Sequence, residues 1–250
     1  MPPPEDTATP TAAPRDWFTT THWSVVLSAR DQDSPQAAAA LEKLCRTYWY
    51  PLYAYVRRQG EREESAKDLT QEFFALLLQK NRLQHVQRAK GRFRSFLLAS
   101  LKHFLTDEWD KARALKRGGG QGLLSLDDTT AEDRYRLEPV DTMTADKLFE
   151  QRWALTLLDQ AKARLKAEYT QAGKADLYER LRVFEAADPD TPTYAAVAAQ
   201  LGLTESAVKS AAHRLRQRYG ELVREEVAHT VTGPAEVDEE LRHLIGVLSG

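Results

Sequence analysis

The sequence predicts an all-α protein in which two helical domains are joined by a flexible linker. Apolar residues recur at helical spacing through most of the chain, no segment alternates apolar and polar residues as a strand would, and one glycine-rich stretch interrupts the pattern. With 250 residues, of which 42% are hydrophobic, the chain is long enough for one large or two small cores.

The first domain is predicted to span residues 17–114, after a disordered tail at residues 1–16 in which proline, alanine and threonine dominate. Its helices are expected at residues 35–59, 63–80 and 92–114. Pro51 should kink or restart the first helix, because proline lacks the N–H of a helical hydrogen bond. The apolar residues of the second helix fall on one face, and its polar residues lie off that face.

A flexible linker is predicted for residues 115–143. It contains the run Gly118 to Gly122, and the residues after that run are acidic, polar and poorly periodic. Helical spacing resumes in a second domain, residues 144–232, and a last amphipathic segment forms a C-terminal extension at residues 233–250. We expect this extension to pack on the second domain or to bind a regulator.

Composition argues against an enzyme, a cofactor and a bound metal. The six histidines are scattered without metal-ligand spacing, and the glycine-rich run follows no predicted strand, as a phosphate-binding loop would. The lone cysteine, Cys45, cannot form an internal disulfide, which fits a reducing compartment. No apolar run approaches the roughly 20 residues that a bilayer requires, and the acidic, proline-rich start is no signal peptide. We therefore expect a cytoplasmic protein with no catalytic residues and no membrane partner.

The most specific motif is a helix-turn-helix at residues 194–219. Gly202 permits the sharp turn, Thr204 can cap the second helix, and Leu203 is expected to fill the corner beneath the turn. From Ser206 to the end of the motif there is no acidic residue. This pattern predicts a DNA-reading helix, and the alternative is a helical hairpin with a solvated basic face.

Two kinds of DNA contact are expected from the second helix of this motif. Its N-terminal residues should reach base edges in a major groove, and the cations farther along should contact phosphates or a protein partner. The base-reading candidates are Ser206, Lys209, Ser210 and His213. The phosphate or partner candidates are Arg214, Arg216 and Arg218.

A second concentration of positive charge covers residues 82–117, in a chain whose net charge is −2. Ten basic residues stand there against three acidic ones, and aromatic residues are interleaved among them. Cations beside aromatic rings suit a phosphate track next to unstacked bases. The phenylalanines share one helix face and are expected in the core, which leaves His103 and Trp109 as candidates for exposure.

These blocks together resemble bacterial sigma factors. The second helix contains Asp68-Leu69-Thr70-Gln71-Glu72-Phe73-Phe74, which resembles the most recognisable motif of sigma region 2.2. At the usual distance follows Phe93-Arg94-Ser95-Phe96-Leu97, which looks like regions 2.3 and 2.4, and the segment Ala207 to Arg216 is similar to region 4.2. Two domains with one linker, and no room for a region 3 domain, resemble the extracytoplasmic-function (ECF) class. The segment Thr20 to Leu27 and the helical tail resemble its planctomycete-type branch.

The resemblance implies a factor that binds core RNA polymerase and directs promoter-specific initiation of transcription. The second helix would dock on the clamp helices of the largest polymerase subunit through Asp68, Gln71 and Glu72. The minus-ten element would be recognised and melted by Arg88, Lys90, Arg92, Arg94, Lys102, His103, Asp107, Trp109 and Lys111. The helix-turn-helix would read the minus-thirty-five element as duplex DNA, and the polymerase flap and an anti-sigma regulator are further candidate partners.

One departure from the family and one alternative function stay open. Ala211 stands where the family often has arginine, so one phosphate or base contact is expected to be missing. The alternative is a stand-alone helix-turn-helix regulator, which would bind duplex DNA tightly without polymerase, usually as a dimer on a palindrome. A sigma factor, in contrast, would bind DNA weakly until polymerase is added.

Overall fold

Helices dominate the structure, a computed structural model that describes residues 35–78, 92–115, 129–138, 143–184, 191–231 and 233–249. These ranges contain no strand, which confirms the predicted all-α class. The α-helices are α1 (Pro35–Arg58), α2 (Glu63–Leu78), α3 (Phe93–Leu115), α4 (Thr129–Arg136), α5 (Ala145–Gln171), α6 (Ala175–Leu181), α7 (Tyr194–Leu201), α8 (Glu205–Ala228) and α9 (Val237–Ser249). The predicted tail at residues 1–16 lies outside the described residues.

Sequence periodicity predicted the long helices closely. The bounds of α2 and α3 fall within two residues of those expected from the apolar pattern. Helix α1 runs through Pro51 without a break, so the proline is accommodated inside one helix. Among the described helices, none combines the length and apolarity that crossing a bilayer requires.

Helices α1 and α5 form the centre of the fold. They pack against each other more extensively than any other pair, and α5 also packs on α8. The largest fully buried side chains come from both predicted domains, and include Tyr48, Tyr53, Phe93, Phe149 and Trp153. One continuous apolar core therefore contains helices from both predicted domains.

Helix α4 lies within the segment that the sequence predicted as flexible linker. Its Glu132 is buried and accepts hydrogen bonds from Tyr53 and from Arg57, the latter at 2.9 and 2.8 Å. Just after the helix, buried Glu138 accepts a hydrogen bond of 2.6 Å from Tyr50. Two buried carboxylates thus bind α4 to α1, and residues 129–138 are ordered by polar contacts that an apolar pattern does not reveal.

Stability near Glu132 should depend on pH. Burial alone would raise the pKa of Glu132, but the hydrogen bonds from Arg57 and Tyr53 lower it below the ordinary value of a glutamate. A lowered folded-state pKa stabilises the protein above the unfolded-state pKa, and this stabilisation is lost as pH falls through the folded-state pKa. At neutral pH, Glu132→Gln should therefore lower the free energy of unfolding by about 1–3 kcal/mol.

Urea titrations of the wild type and of Glu132→Gln between pH 7 and pH 3 would measure this dependence. The difference between the two proteins should shrink as Glu132 becomes protonated. Asp133→Asn on the same helix is the matched control, because the Asp133 side chain is 75% exposed. A difference that stays constant across the titration would contradict the assignment.

Candidate nucleic-acid interface

The turn of the helix-turn-helix has the local chemistry that the sequence predicted. Helix α7 ends at Gly202, whose φ of 63° lies in the left-handed region that favours glycine. The N–H of Leu203 then donates to the carbonyl of Ala198 at 3.0 Å. Thr204 caps α8, since its side-chain oxygen accepts a hydrogen bond of 3.2 Å from the N–H of Ala207. These caps fix the direction in which α8 leaves the turn.

Substitution of Gly202 tests this turn. Gly202→Ala should lower the free energy of unfolding by about 1–2 kcal/mol, because the left-handed conformation is strained for any residue with a Cβ. Gly220→Ala is the matched control: Gly220 lies inside α8, its φ is not positive, and an added Cβ meets no atom within 4 Å. It should raise stability by about 0.5–1 kcal/mol. Urea denaturation should give the two substitutions opposite signs, and equal signs would count against the turn.

Three apolar side chains of the motif are buried, but Leu203 is not where the sequence predicted it. Val197, Val208 and Leu215 are buried between α7 and α8. Leu203, predicted to fill the corner, is 46% exposed. The left-handed turn at Gly202 directs the chain outward at the next residue, so that prediction was wrong.

The exposed N-terminal part of α8 forms what we call the recognition face. It consists of Ser206, Lys209, Ser210, His213 and Arg214, all of which are exposed. Ala211 is buried instead, against the side of α8 that packs on α5 and α6. The contact expected to be missing at this position stays a prediction.

Lys209 is held in place on the recognition face without being covered. Its ammonium donates to Glu205, one turn earlier, at 2.7 Å and lies 5.9 Å from the ring centroid of Tyr194. The hydrogen bond to Glu205 raises the pKa of Lys209, so the side chain keeps its charge. A nearby phosphate or base edge would compete with Glu205 for this ammonium.

The remaining arginines of α8 contact the protein itself. Arg216 donates to the carbonyl of Phe184 at 2.9 Å and to the hydroxyl of Tyr194 at 3.2 Å, beside the stacked rings of these two residues. Arg218 pairs with Glu168 at 2.7 Å and with two further carboxylates of α8. The hydrogen bond to Glu168 raises the pKa of Arg218. Arg218 thus orients α8 on α5, whereas Arg216 remains exposed enough to contact a phosphate as well.

The cations predicted to contact the minus-ten element have different surroundings in the structure. Arg88 and Lys90 lie outside the described residues. Arg92 and Arg94, at the start of α3, face carboxylates of α5 and α9. Lys102 pairs with Asp146 of α5 at 2.8 Å, and this hydrogen bond raises the pKa of the lysine.

Farther along α3, the predicted contacts are more accessible. His103 and Asp107 are exposed. Trp109, expected to be exposed, is half-buried and donates its indole N–H to Glu61 at 2.7 Å. Lys111 is exposed and pairs with Glu108 on the same helix at 2.5 Å.

The predicted polymerase-binding residues lie on the outer side of α2. Asp68 and Glu72 are exposed, whereas Gln71 is half-buried and engaged within the protein. The opposite side of the helix is buried, with Ala66, Thr70 and Phe73 packed into the core. Asp68 and Glu72 are one turn apart, so α2 exposes two adjacent carboxylates on its outer side.

Outside these surfaces, the described ranges contain clefts but no metal-ligand cluster. They contain no cluster of three or more histidine, cysteine, aspartate or glutamate side chains suited to a metal ion. A cleft of about 570 Å³ between α1, α5 and α8 is lined by charges that pair with one another, such as Glu42 with Arg46 and Arg164 with Glu226. Its charged groups are thus largely neutralised by their neighbours.

Sequence reasoning missed the acidic partners of α3. Glu150 and Asp146 come from α5, and Glu239 and Glu240 come from α9. The acidic start of α9 was a signal that could have paired this helix with the cationic α3.

Comparison with known proteins found no matching family model, curated protein or solved structure. Function is therefore inferred from the residues and geometry above.

Proposed function

We propose that this chain is a sigma-type transcription initiation factor, which binds core RNA polymerase and directs it to specific promoters. The observation that carries the proposal is the recognition face, an exposed and cationic helix start set by a capped left-handed turn. A helix presented in this way fits a major groove, where its first residues meet base edges. The resemblance of the α2 and α3 sequences to sigma region 2 supports the rest of the assignment.

In this proposal the two ends of the promoter are read by different helices. Helix α8 reads the minus-thirty-five element as duplex through the recognition face, with Arg216 contacting phosphate. Helix α3 and the segment before it bind and melt the minus-ten element, and α2 docks on the polymerase clamp through Asp68 and Glu72. The factor acts in the cytoplasm with promoter DNA and polymerase as partners, is not an enzyme, and is a candidate target for an anti-sigma regulator.

Run-off transcription on a promoter library tests the proposal. Core RNA polymerase should start transcription at defined sites only when this protein is present, and the selected sequences should contain two separate elements. A variant with Lys209, Ser210 and His213 replaced by alanine should lose the preference at the upstream element alone. If initiation by core polymerase does not depend on the protein, the sigma-type function is rejected.

A stand-alone helix-turn-helix regulator is the second candidate. One observation favours it: the recognition face is open in the free chain, whereas Arg92 and Arg94 of the minus-ten candidates are engaged by carboxylates. Such a regulator would bind a selected duplex tightly in the absence of polymerase. Duplex binding by the free chain, measured by fluorescence anisotropy, would be weak for the sigma-type function and tight for the regulator.

Lys209→Ala should relax base preference at one position of the upstream element. If Lys209 reads a base, its loss should weaken binding to the preferred sequence by on the order of ten- to a hundredfold, with less effect on the other bases at that position. Selection of bound duplexes by the polymerase complex, followed by sequencing, measures this. Lys166→Ala, an exposed lysine of α5 that pairs with Glu179, is the control and should leave the preference unchanged. An unaltered preference in Lys209→Ala would remove this residue from base reading.

A further inference from the structure

The C-terminal helix α9 lies across the start of α3. Arg92 donates from its Nη2 to Glu239 at 2.6 Å, and its Nε forms an ion pair with Glu240 at 2.7 Å. Arg94 donates to Glu240 as well, and its Nε donates to Glu150 of α5 at 2.7 Å. We call Arg92, Arg94, Glu150, Glu239 and Glu240 the α3–α9 cluster.

Burial makes this cluster a tight contact rather than a surface pairing. Glu240 is fully buried, and Arg94 is only 2% exposed. The Arg94 guanidinium also lies over the ring of Trp153, at 4.7 Å from its centroid. His243 of α9 lies 3.0 Å from Glu150, which adds a second contact between α9 and α5.

Apolar contacts hold α9 in the same position. Val237 and Leu244 are buried on the side of α9 that packs against α5 and α8. At the start of the helix, Asp238 pairs with Arg224 of α8 at 2.7 Å. The position of the carboxylates over α3 is therefore fixed by the second half of the chain, and α9 cannot leave α3 without separating from α5 and α8 as well.

We infer that α9 is an autoinhibitory element, which covers the nucleic-acid-binding start of α3 with carboxylates until a partner displaces it. The inference rests on the proposed role of α3 in binding the minus-ten element. A carboxylate and a phosphate each offer a guanidinium two anionic oxygens that can accept paired hydrogen bonds, so Glu239 and Glu240 occupy the positions at which DNA phosphates would pair with Arg92 and Arg94. Binding of nucleic acid to these arginines and docking of α9 then exclude each other.

Competition between α9 and nucleic acid for the same arginines lowers the apparent affinity for nucleic acid. While α9 is docked, only the fraction of molecules in the open state binds nucleic acid through these arginines, and the apparent affinity is reduced by that fraction. Weakening the docking should raise the open fraction and the affinity together.

The test uses the full chain and a pool of random 12-nucleotide single-stranded DNA carrying a fluorophore. The variant Glu239→Gln/Glu240→Gln removes two carboxylates and leaves Arg92 and Arg94 in place. The matched control, Asp133→Asn/Asp159→Asn, removes two exposed carboxylates from α4 and α5 and so corrects for the change in net charge. Fluorescence anisotropy should give the first variant an affinity at least about fivefold higher than that of the control. Glu239→Gln alone, at a side chain that is 64% exposed, should show a smaller increase in the same direction.

A second readout follows α9 in the unaltered protein. Hydrogen exchange of the α9 amides should accelerate when the DNA pool is added at saturation, because bound DNA would displace the helix. Thermal unfolding of each variant establishes that it is folded before its affinity is compared.

The outcomes separate the inference from the proposed function. Binding by all the proteins with equal affinity, or binding without faster exchange in α9, overturns the autoinhibition and leaves the nucleic-acid function of α3 standing. Absence of binding by every folded variant removes the proposed role of α3, and the autoinhibition fails with it. Tighter binding by the glutamine variants together with faster exchange in α9 supports both.

Discussion

Replacing Arg94 by methionine should lower the free energy of unfolding by about 3–5 kcal/mol, because it leaves a buried carboxylate without its main partner. Arg94 contacts Glu150 and Glu240 and lies over the ring of Trp153. In its absence the fully buried Glu240 retains only the ion pair with Arg92. Urea denaturation followed by circular dichroism measures the loss.

Two companion variants separate the buried charge from general damage to α3. The double variant Arg94→Met/Glu240→Leu should recover most of the loss, because a buried ion pair replaced by apolar residues of similar volume is often neutral in stability. Arg113→Met, on the same helix, alters an arginine whose side chain is 80% exposed and should change stability by less than about 0.5 kcal/mol. An Arg94→Met protein as stable as Arg113→Met would mean that the α3–α9 cluster does not form in solution.

Features with a local cause could be predicted from the sequence. The ends of α2 and α3 followed from apolar spacing, and the turn at Gly202 with its cap at Thr204 followed from the preferences of single residues. The exposure of the recognition face followed as well, because the apolar side of an amphipathic helix fixes which residues remain outside. Each of these signals lies within a few residues of the structure that it specifies.

Features whose cause lies far away along the chain could not be predicted from the sequence. Glu132 is ordered by Arg57, which lies 75 residues earlier, and Arg94 is buried by Glu240, which lies 146 residues later. The sequence marks both as polar residues, and polar residues are by default expected at the surface. Helix α4 and the engagement of Arg92 and Arg94 were therefore missed for one reason: their partners are set by tertiary packing.

Reversal of charge at Asp68 and Glu72 should abolish most binding to core RNA polymerase and leave the fold intact. Helix α2 exposes Glu64, Asp68 and Glu72 at successive one-turn intervals. Like charges at this spacing repel one another and slightly weaken a helix. A basic surface on a partner would explain their presence. We expect Asp68→Lys/Glu72→Lys to weaken the affinity for polymerase at least about tenfold, at unchanged or slightly higher thermal stability.

The control must reverse the same number of charges elsewhere. Asp133→Lys/Asp159→Lys does so at exposed positions of α4 and α5. Polymerase binding, measured by surface-immobilised core enzyme, should be lost in the α2 variant and kept in the control, because repulsion at a docking site is local at physiological salt. Wild-type affinity in the α2 variant would refute docking through these carboxylates. A stand-alone regulator does not need to bind polymerase. Absence of polymerase binding by the wild type would therefore favour that second function.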